Sequence, residues 1–314
     1  MGKLSWPRAG LRSLEPLQTW RHLADGLVMR TRHWPGPNHP ELSSEMPGKD
    51  AGSLRCFSLN VAHGRHMATH QALLRRRTAE NNVARIAGVV NRVGADLVAL
   101  QEADGPSAWS GNFDHVATLA YHAGLEHHLR GDHNPFSIGR LRVESGTALL
   151  SRTPLERPSS YPFNTNWRDT KGFVVASLQV PQWHDLEIDV VSVHLDFLRP
   201  ALRYQQLLQM VEVLQSRRRP RVVLGDLNCS LSRERPAWLL LEELLDLTPW
   251  APERDLPTFP VHRPSRRIDW ILASSELEFV DYRTLRTPLS DHLGVVADLR
   301  PRERRAKAAR SKKK

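Results

Sequence analysis

At 314 residues the chain is long enough to bury a sizeable core, as one domain or two. Its net charge is +10, but residues 300–314 (RPRERRAKAARSKKK) hold nine Lys or Arg against one Glu, which leaves only about +2 for the rest. Two cysteines, Cys56 and Cys229, exclude a disulfide framework, and no run of about 18 apolar residues offers a membrane-spanning helix.

The high isoelectric point therefore describes a tail and not a groove. Residues 301–314 are read as a basic, disordered tail that is solvated or contacts a polyanion. The N-terminal residues lack the 7–15-residue apolar stretch of a secretory signal, and Trp6 breaks the N-myristoylation pattern. A soluble, cytoplasmic protein is expected, in a reducing compartment.

Residues 1–52 read as a largely irregular extension, with Pro35, Pro37, Pro40 and Pro47 following a helix near Leu17–Val28. From Leu54 onward, short apolar runs alternate with helical patterns. RCFSLN predicts a strand, Ala79–Val93 a helix, and ADLVALQE a second strand. FDHVATLAYHAG predicts another helix, followed by strands at Thr147–Ser151, Gly172–Val180 and Leu186–His194. ALRYQQLLQMVEVLQS is helical, VVLGD is a strand, and AWLLLEELL is an amphipathic helix. RIDWILAS, LEFVDYRTL and GVVADL close the series as strands. Mixed strands with helices inserted between them predict an α/β four-layer sandwich over residues 53–300, with two packed mixed β-sheets flanked by helices.

The ends of these strands carry the chemistry. RCFSLN ends at Asn60, LVALQE at Gln101 and Glu102, DVVSVHLD at His194 with Asp196 beyond, and VVLGD at Asp226 with Asn228 two residues on. One polar strand end is ordinary. Four of them, all with residue types that bind metal or phosphate and all at the same end of their strands, point to a site. In VVLGDLNCS the aliphatic run predicts a strand buried on both faces, and continued extension would put Asp226 and Asn228 on one side. A buried carboxylate there needs a metal ion, a histidine or a bound phosphate as compensation. RIDWILAS places Asp269 inside an apolar strand, while LSDHLGVVADL places Ser290, Asp291 and His292 before one. Pairing with His292 would satisfy Asp269, fix the imidazole tautomer and favour its protonated form.

Asn60, Gln101 with Glu102, His194, the G-D-x-N of Gly225–Asn228, Asp269 and the S-D-H of Ser290–His292 resemble, in order and spacing, the motif set of the endonuclease/exonuclease/phosphatase superfamily. The resemblance spans about residues 54–299. It implies phosphate-ester hydrolysis, with Mg²⁺ as the usual cofactor and Mn²⁺ as an option. Carried over position by position, it makes Glu102 a metal ligand, with Asn60 and Asp291 near the ion. Asp226 would orient and deprotonate the attacking water, and Asn228 would donate to a phosphoryl oxygen or fix the Asp226 carboxylate. His194 and His292 would donate to the phosphoryl oxygens, Asn60 would help to bind the phosphate, and Asp269 would orient His292.

Gln101 either supports Glu102 or is a structural amide. His63, in NVAHGR, faces either the substrate or the solvent. Trp109, Trp167 and Trp183 stack on a base or cover the core, and the runs Arg75–Arg77 and Arg217–Arg219 read as solvated charge beside helices. Abasic-site endonucleases carry a tyrosine and an added aspartate between the Glu and G-D-x-N motifs. Here the corresponding strand ends in His194, closer to the deoxyribonuclease, sphingomyelinase and phosphatase branches. The expected protein is a Mg²⁺-dependent phosphodiesterase of nuclease type, whose phosphate-ester partner is a nucleic acid. A lipid or inositol/sugar phosphoesterase stands second. A non-catalytic polyanion-binding domain stands third, because such a domain has no need of Glu102, Asp226 and His292 together.

Overall fold

The computed structural model describes residues 48–303, apart from 134–135, 139–140, 165–170, 185, 231–232 and 255. The helix expected near Leu17–Val28, the extension as far as residue 47, Trp167 and the basic tail from residue 304 lie outside the described residues.

The strands in chain order are β1 (Leu54–Asn60), β2 (Leu97–Asp104), β3 (His127–Asp132), β4 (Phe136–Ile138), β5 (Leu141–Val143), β6 (Ser145–Ser151) and β7 (Leu155–Pro162). They continue with β8 (Gly172–Gln179), β9 (Glu187–His194), β10 (Arg221–Asp226), β11 (Leu247–Pro249), β12 (Asp269–Ser274), β13 (Leu277–Thr284) and β14 (Val295–Pro301). The α-helices are α1 (Arg76–Val93), α2 (His115–Ala123), α3 (Pro200–Arg217) and the short α4 (Arg235–Leu239). One six-stranded sheet has the order β13-β14-β1-β2-β6-β3, and the other has the order β11-β12-β10-β9-β8-β7. A separate ribbon pairs β4 with β5.

Each large sheet is mixed and has a parallel pair at its centre: β1 with β2, and β9 with β10. A parallel pair needs a crossover, and α1 and α3 supply them. That topology fixes where the polar strand ends fall. Asn60 lies opposite Gln101 in the first pair, and His194 lies opposite Asp226 in the second, so both pairs finish in polar residues.

Three apolar layers separate the four structural ones. Val83, Ile86 and Val90 of α1 pack on Phe57, Leu59, Val98 and Leu100 of the first sheet. Cys56, Leu97, Ala99, Val190, Ile271 and Val295 fill the space between the sheets. Leu207, Met210 and Leu214 of α3 cover Val191, Val193 and Val223. Along β10, Val222 and Leu224 face the inter-sheet layer while Val223 faces α3, as a strand buried on both faces requires. The same alternation turns Asp226 towards the gap between the sheets.

Two buried polar links join elements within this frame. Arg55 of β1 makes a two-pronged contact with Asp298 of β14, at 2.7 and 2.6 Å. Removing either partner would strand a buried charge, at about 3–5 kcal/mol. Arg217 grips the buried Asp189 at 2.8 and 3.0 Å, and Arg219 binds Glu187 at 2.7 Å. The 217–219 run is therefore not simply solvated charge: two of its members tie the end of α3 to β9.

Candidate active site

Asp226 is almost fully buried at the end of β10 and is met from four directions. Its Oδ1 accepts the backbone N–H of Asn228 at 2.9 Å, and its Oδ2 accepts Asn60 Nδ2 at 3.1 Å. His194 Nε2 lies 3.4 Å from Oδ2, and His292 Nε2 lies 3.9 Å from it. Asp269, paired in register with Asp226 across β10 and β12, binds His292 Nδ1 at 2.9 Å and accepts the Thr258 hydroxyl at 2.5 Å. The expected Asp269–His292 contact is thus present, and Thr258 is a further partner that the strand pattern gave no reason to single out.

The electrostatics follow from this crowding. Burial, and then the neighbouring Asp269, push the Asp226 carboxyl far above the usual carboxylate range. Burial opposes a charge on His292, but Asp269 on one side and Asp226 on the other more than offset it and hold the ring protonated. His194 is driven the opposite way, by burial and then by the Lys171 ammonium 3.1 Å from its ring nitrogens, and is neutral. Two imidazoles a few ångströms from one carboxylate thus carry different charges because their second neighbours differ.

Glu102 lines a cavity of about 90 Å³ that His63, Trp109, Lys171 and His194, among others, also wall. A β-bulge shifts the β2–β6 register between Leu100 and Ala103, and Glu102 sits there at φ 51°. Its oxygens lie 3.3 Å from His63 Nε2 and 3.7 Å from Lys171 Nζ. Burial raises its pKa, but Lys171, His63 and His194 together hold the group well below the usual range, so it is ionised. His63 Nδ1 in turn meets the buried Asp104 at 2.8 Å, and Asp104 accepts Trp109 Nε1 at 2.9 Å. His63 therefore faces the cavity, and Trp109 backs it up through Asp104.

The other candidates have partners of their own. The chain does not stay extended after Asp226: Asn228 has φ 51°, and its side-chain Nδ2 donates to the Leu195 carbonyl at 3.1 Å. The alternation argument therefore does not place its amide beside Asp226; the backbone N–H of Asn228 is what holds that carboxylate. Asn60 Oδ1 accepts the Ala62 N–H, so its amide links β1 to Asp226. Asp291 is bound by Arg65 and by the Ser290 hydroxyl. Gln101 is buried and donates to Ser192 Oγ at 3.1 Å, bridging the two sheets and not supporting Glu102. Asp196 serves its own turn, accepting the N–H groups of Leu198 and Arg199. Trp183 covers the core and donates to the Gly52 carbonyl.

Lys171, Asp104, Thr258 and Arg65 were not legible as site residues. Lys171 precedes its strand without any motif, and Asp104 meets His63 only because the bulge resets the alternation around Glu102. Among the described residues, one cluster of three His or acidic side chains brings its ligand atoms within 4.8 Å of one another: Asp226, Asp269 and His292. There the imidazole already bridges the two acids. Glu102 suits a hard divalent cation better, since it is ionised and opens on a cavity.

Residues 57–292 match the Endonuclease/Exonuclease/phosphatase family, and the chain belongs to that family. The family's members are phosphoesterases, so this chain is a metal-dependent hydrolase of phosphoric esters. A comparison with curated proteins finds no significant match. Among solved structures, an endonuclease/exonuclease/phosphatase from Beutenbergia cavernae is similar, with TM-score 0.63 and 22% identity over 80% of this chain and 72% of that one. The human Nocturnin catalytic domain with bound sulfate anion is similar at TM-score 0.61 and 19% identity, over 80% and 94% of the two chains. Sphingomyelinase C from Streptomyces griseocarneus is similar at TM-score 0.55 and 20% identity, over 78% and 99%. At these identities the likeness is one of fold.

Proposed function

We propose that this chain is a Mg²⁺-dependent phosphodiesterase of nuclease type. The observation that carries the reading is the convergence of Asp226, His292, Asp269 and His194 at the ends of β9, β10 and β12, with Glu102 sharing a cavity wall with His194. Ester hydrolysis needs a base for water, donors at the phosphoryl oxygens and charge neutralisation. Asp226, held by the Asn228 N–H and by Asn60, takes the proton from the attacking water. Protonated His292 donates from Nε2, and Asp269 keeps Nδ1 occupied so that Nε2 faces the phosphate. Neutral His194 offers one further N–H. Glu102, with Asn60 and Asp291 as further candidates, would hold the divalent ion, Mg²⁺ or Mn²⁺, which would supply charge neutralisation.

Glu102→Gln keeps the shape and loses the charge. It is expected to raise the Mg²⁺ concentration for half-maximal activity by at least about tenfold; an unchanged metal titration removes Glu102 from the ligand set. The basic tail would add sequence-independent affinity for a polyanion such as nucleic acid. Among the described residues no helix is long and apolar enough to cross a membrane, and both cysteines are free and buried, which accords with a reducing, cytoplasmic setting.

A lipid phosphoesterase is the second reading, favoured by adjacent exposed apolar residues, Phe197 and Leu198, beside the site. A panel of single-stranded DNA, RNA, phospholipid vesicles and inositol phosphates separates the two. Strand cleavage at rates above those for the other esters is expected, and exclusive hydrolysis of the lipid would overturn the nuclease reading.

A further inference from the structure

Beyond Asn228 the surface opens into a second cavity, of about 450 Å³, within the range of about 300–1,000 Å³ usual for ligand sites. Its walls include Phe197, Asn228, Arg233, Arg254, Arg266 and Arg267. Asn228 is shared: its backbone N–H holds Asp226 while the residue borders this larger space. The cavity at Glu102, at about 90 Å³, has room for little more than a reacting phosphate group. A substrate's adjoining part must lie elsewhere, and this is the larger space that borders a residue bound to Asp226.

The charge in this cavity is not balanced. Arg203 and Glu234, which also line it, neutralise each other at 2.9 and 2.6 Å. Glu253 is then set against four arginines, none of which has a carboxylate within 4 Å among the described residues. Arg267 is buried, lies over the Trp270 ring at 4.0 Å, and donates to the carbonyls of Trp250 and Ala251, pinning that turn to the start of β12. Its Nε has no partner. Arg254 and Arg266 are exposed and stack on Trp250 and Phe259, at 5.2 and 4.7 Å. Stacking orients a guanidinium yet leaves its in-plane N–H groups available. Phe197 adds an aromatic ring that is 63% exposed, with no core to fill. Oriented cations beside an exposed ring suit an anion joined to a flat aromatic group.

We propose that this cavity binds the nucleotide next to the scissile phosphate in a single-stranded nucleic acid, with its phosphate on Arg254 and Arg266 and its base stacked on Phe197. The proposal rests on the phosphodiesterase reading and names its substrate. An unpaired strand is required, because a base within a duplex has no face to offer Phe197.

The test measures binding without turnover. Fluorescein-labelled oligothymidylate four residues long is titrated in EDTA at low salt, with anisotropy as readout, against full-length wild type, the double variant Arg254→Gln/Arg266→Gln, and Phe197→Ser. These positions are exposed, so the variants fold. The double variant should bind at least about tenfold more weakly, and its slope of log affinity against log salt should fall by about 0.7, because one phosphate of the strand is no longer neutralised. Phe197→Ser should bind at least about fivefold more weakly with the slope unchanged, as loss of one stacked base implies. Unchanged affinity in either variant overturns the proposal. Wild type is also assayed with Mg²⁺ on bis(p-nitrophenyl) phosphate, which tests the phosphodiesterase reading separately. If wild type binds as expected but leaves that diester intact, the phosphodiesterase reading fails on its own account. If it cleaves the diester while the variants bind normally, the cavity assignment alone fails.

Discussion

Asp226→Asn should lower phosphodiester hydrolysis by roughly 10²–10⁴-fold, the usual contribution of a general base, and leave the melting temperature unchanged or raised. The loss follows from chemistry: the amide cannot take a proton from water, although it fills the same volume beside Asn60 and the Asn228 N–H. The thermal result follows from linkage. Burial and Asp269 raise the carboxyl in the folded state to about 7, above its unfolded value, so the folded state binds this proton more tightly. The stability that Asp226 contributes is therefore present at low pH and is lost as pH rises from the ordinary carboxylate range towards 7. At neutral pH the neutral amide removes that electrostatic cost, which offsets the loss of one of the two oxygens that accept the Asn228 and Asn60 N–H groups. Activity assays paired with thermal melts at pH 5 and pH 8 check both halves. Near wild-type turnover would remove Asp226 from the reaction, and a large drop in melting temperature would make its role structural. A base must also be deprotonated to act, so the rate should rise with pH through a range well above that of a free carboxylate.

Gly225→Ala is expected to destabilise the fold by about 3–5 kcal/mol, at the upper end for a single methyl group. Gly225 has φ 151°, and a Cβ there would stand 2.0 Å from the Val193 carbonyl oxygen of the paired strand. The neighbouring atom is backbone in the centre of a sheet, so no side-chain rotation relieves the clash. Parting β9 from β10 would also separate His194 from Asp226, because those two residues are direct partners in the register. Activity should therefore fall with stability. Urea denaturation measures the first effect. A midpoint equal to wild type would mean that the two strands have more freedom than their spacing implies.

The glycine illustrates what could be read from the sequence. VVLGD was readable as a strand, which runs through Gly225 to Asp226, and the four-layer arrangement followed from apolar runs that did become buried strands, β1, β2, β9 and β10 among them. Strands β3 (HHLRGD) and β7 (LERPSSYP) carried no such run. Both lie at sheet edges, where fewer contacts demand apolar side chains, and the pattern was silent there. AWLLLEELL is only partly α-helical: α4 ends at Leu239, and the next turn widens to π-helical pitch. At the site, residue types at strand ends were visible because strand ends are local features. The bulge that aims Glu102, the left-handed backbone at Asn228 and the approach of Lys171 to His194 are not local. They depend on which strands become neighbours, and the order of strands along the chain leaves that open.

The most direct measurement is the rate of bis(p-nitrophenyl) phosphate hydrolysis by the full chain, before and after exhaustive treatment with EDTA and then on titration with Mg²⁺ or Mn²⁺. Hydrolysis should disappear on chelation and return with the added ion, and the ion should restore little in Asp226→Asn. Turnover that persists undiminished in EDTA, or no turnover of this or any other phosphate ester at any metal concentration, would contradict a metal-dependent phosphodiesterase built on Asp226, His292 and Glu102.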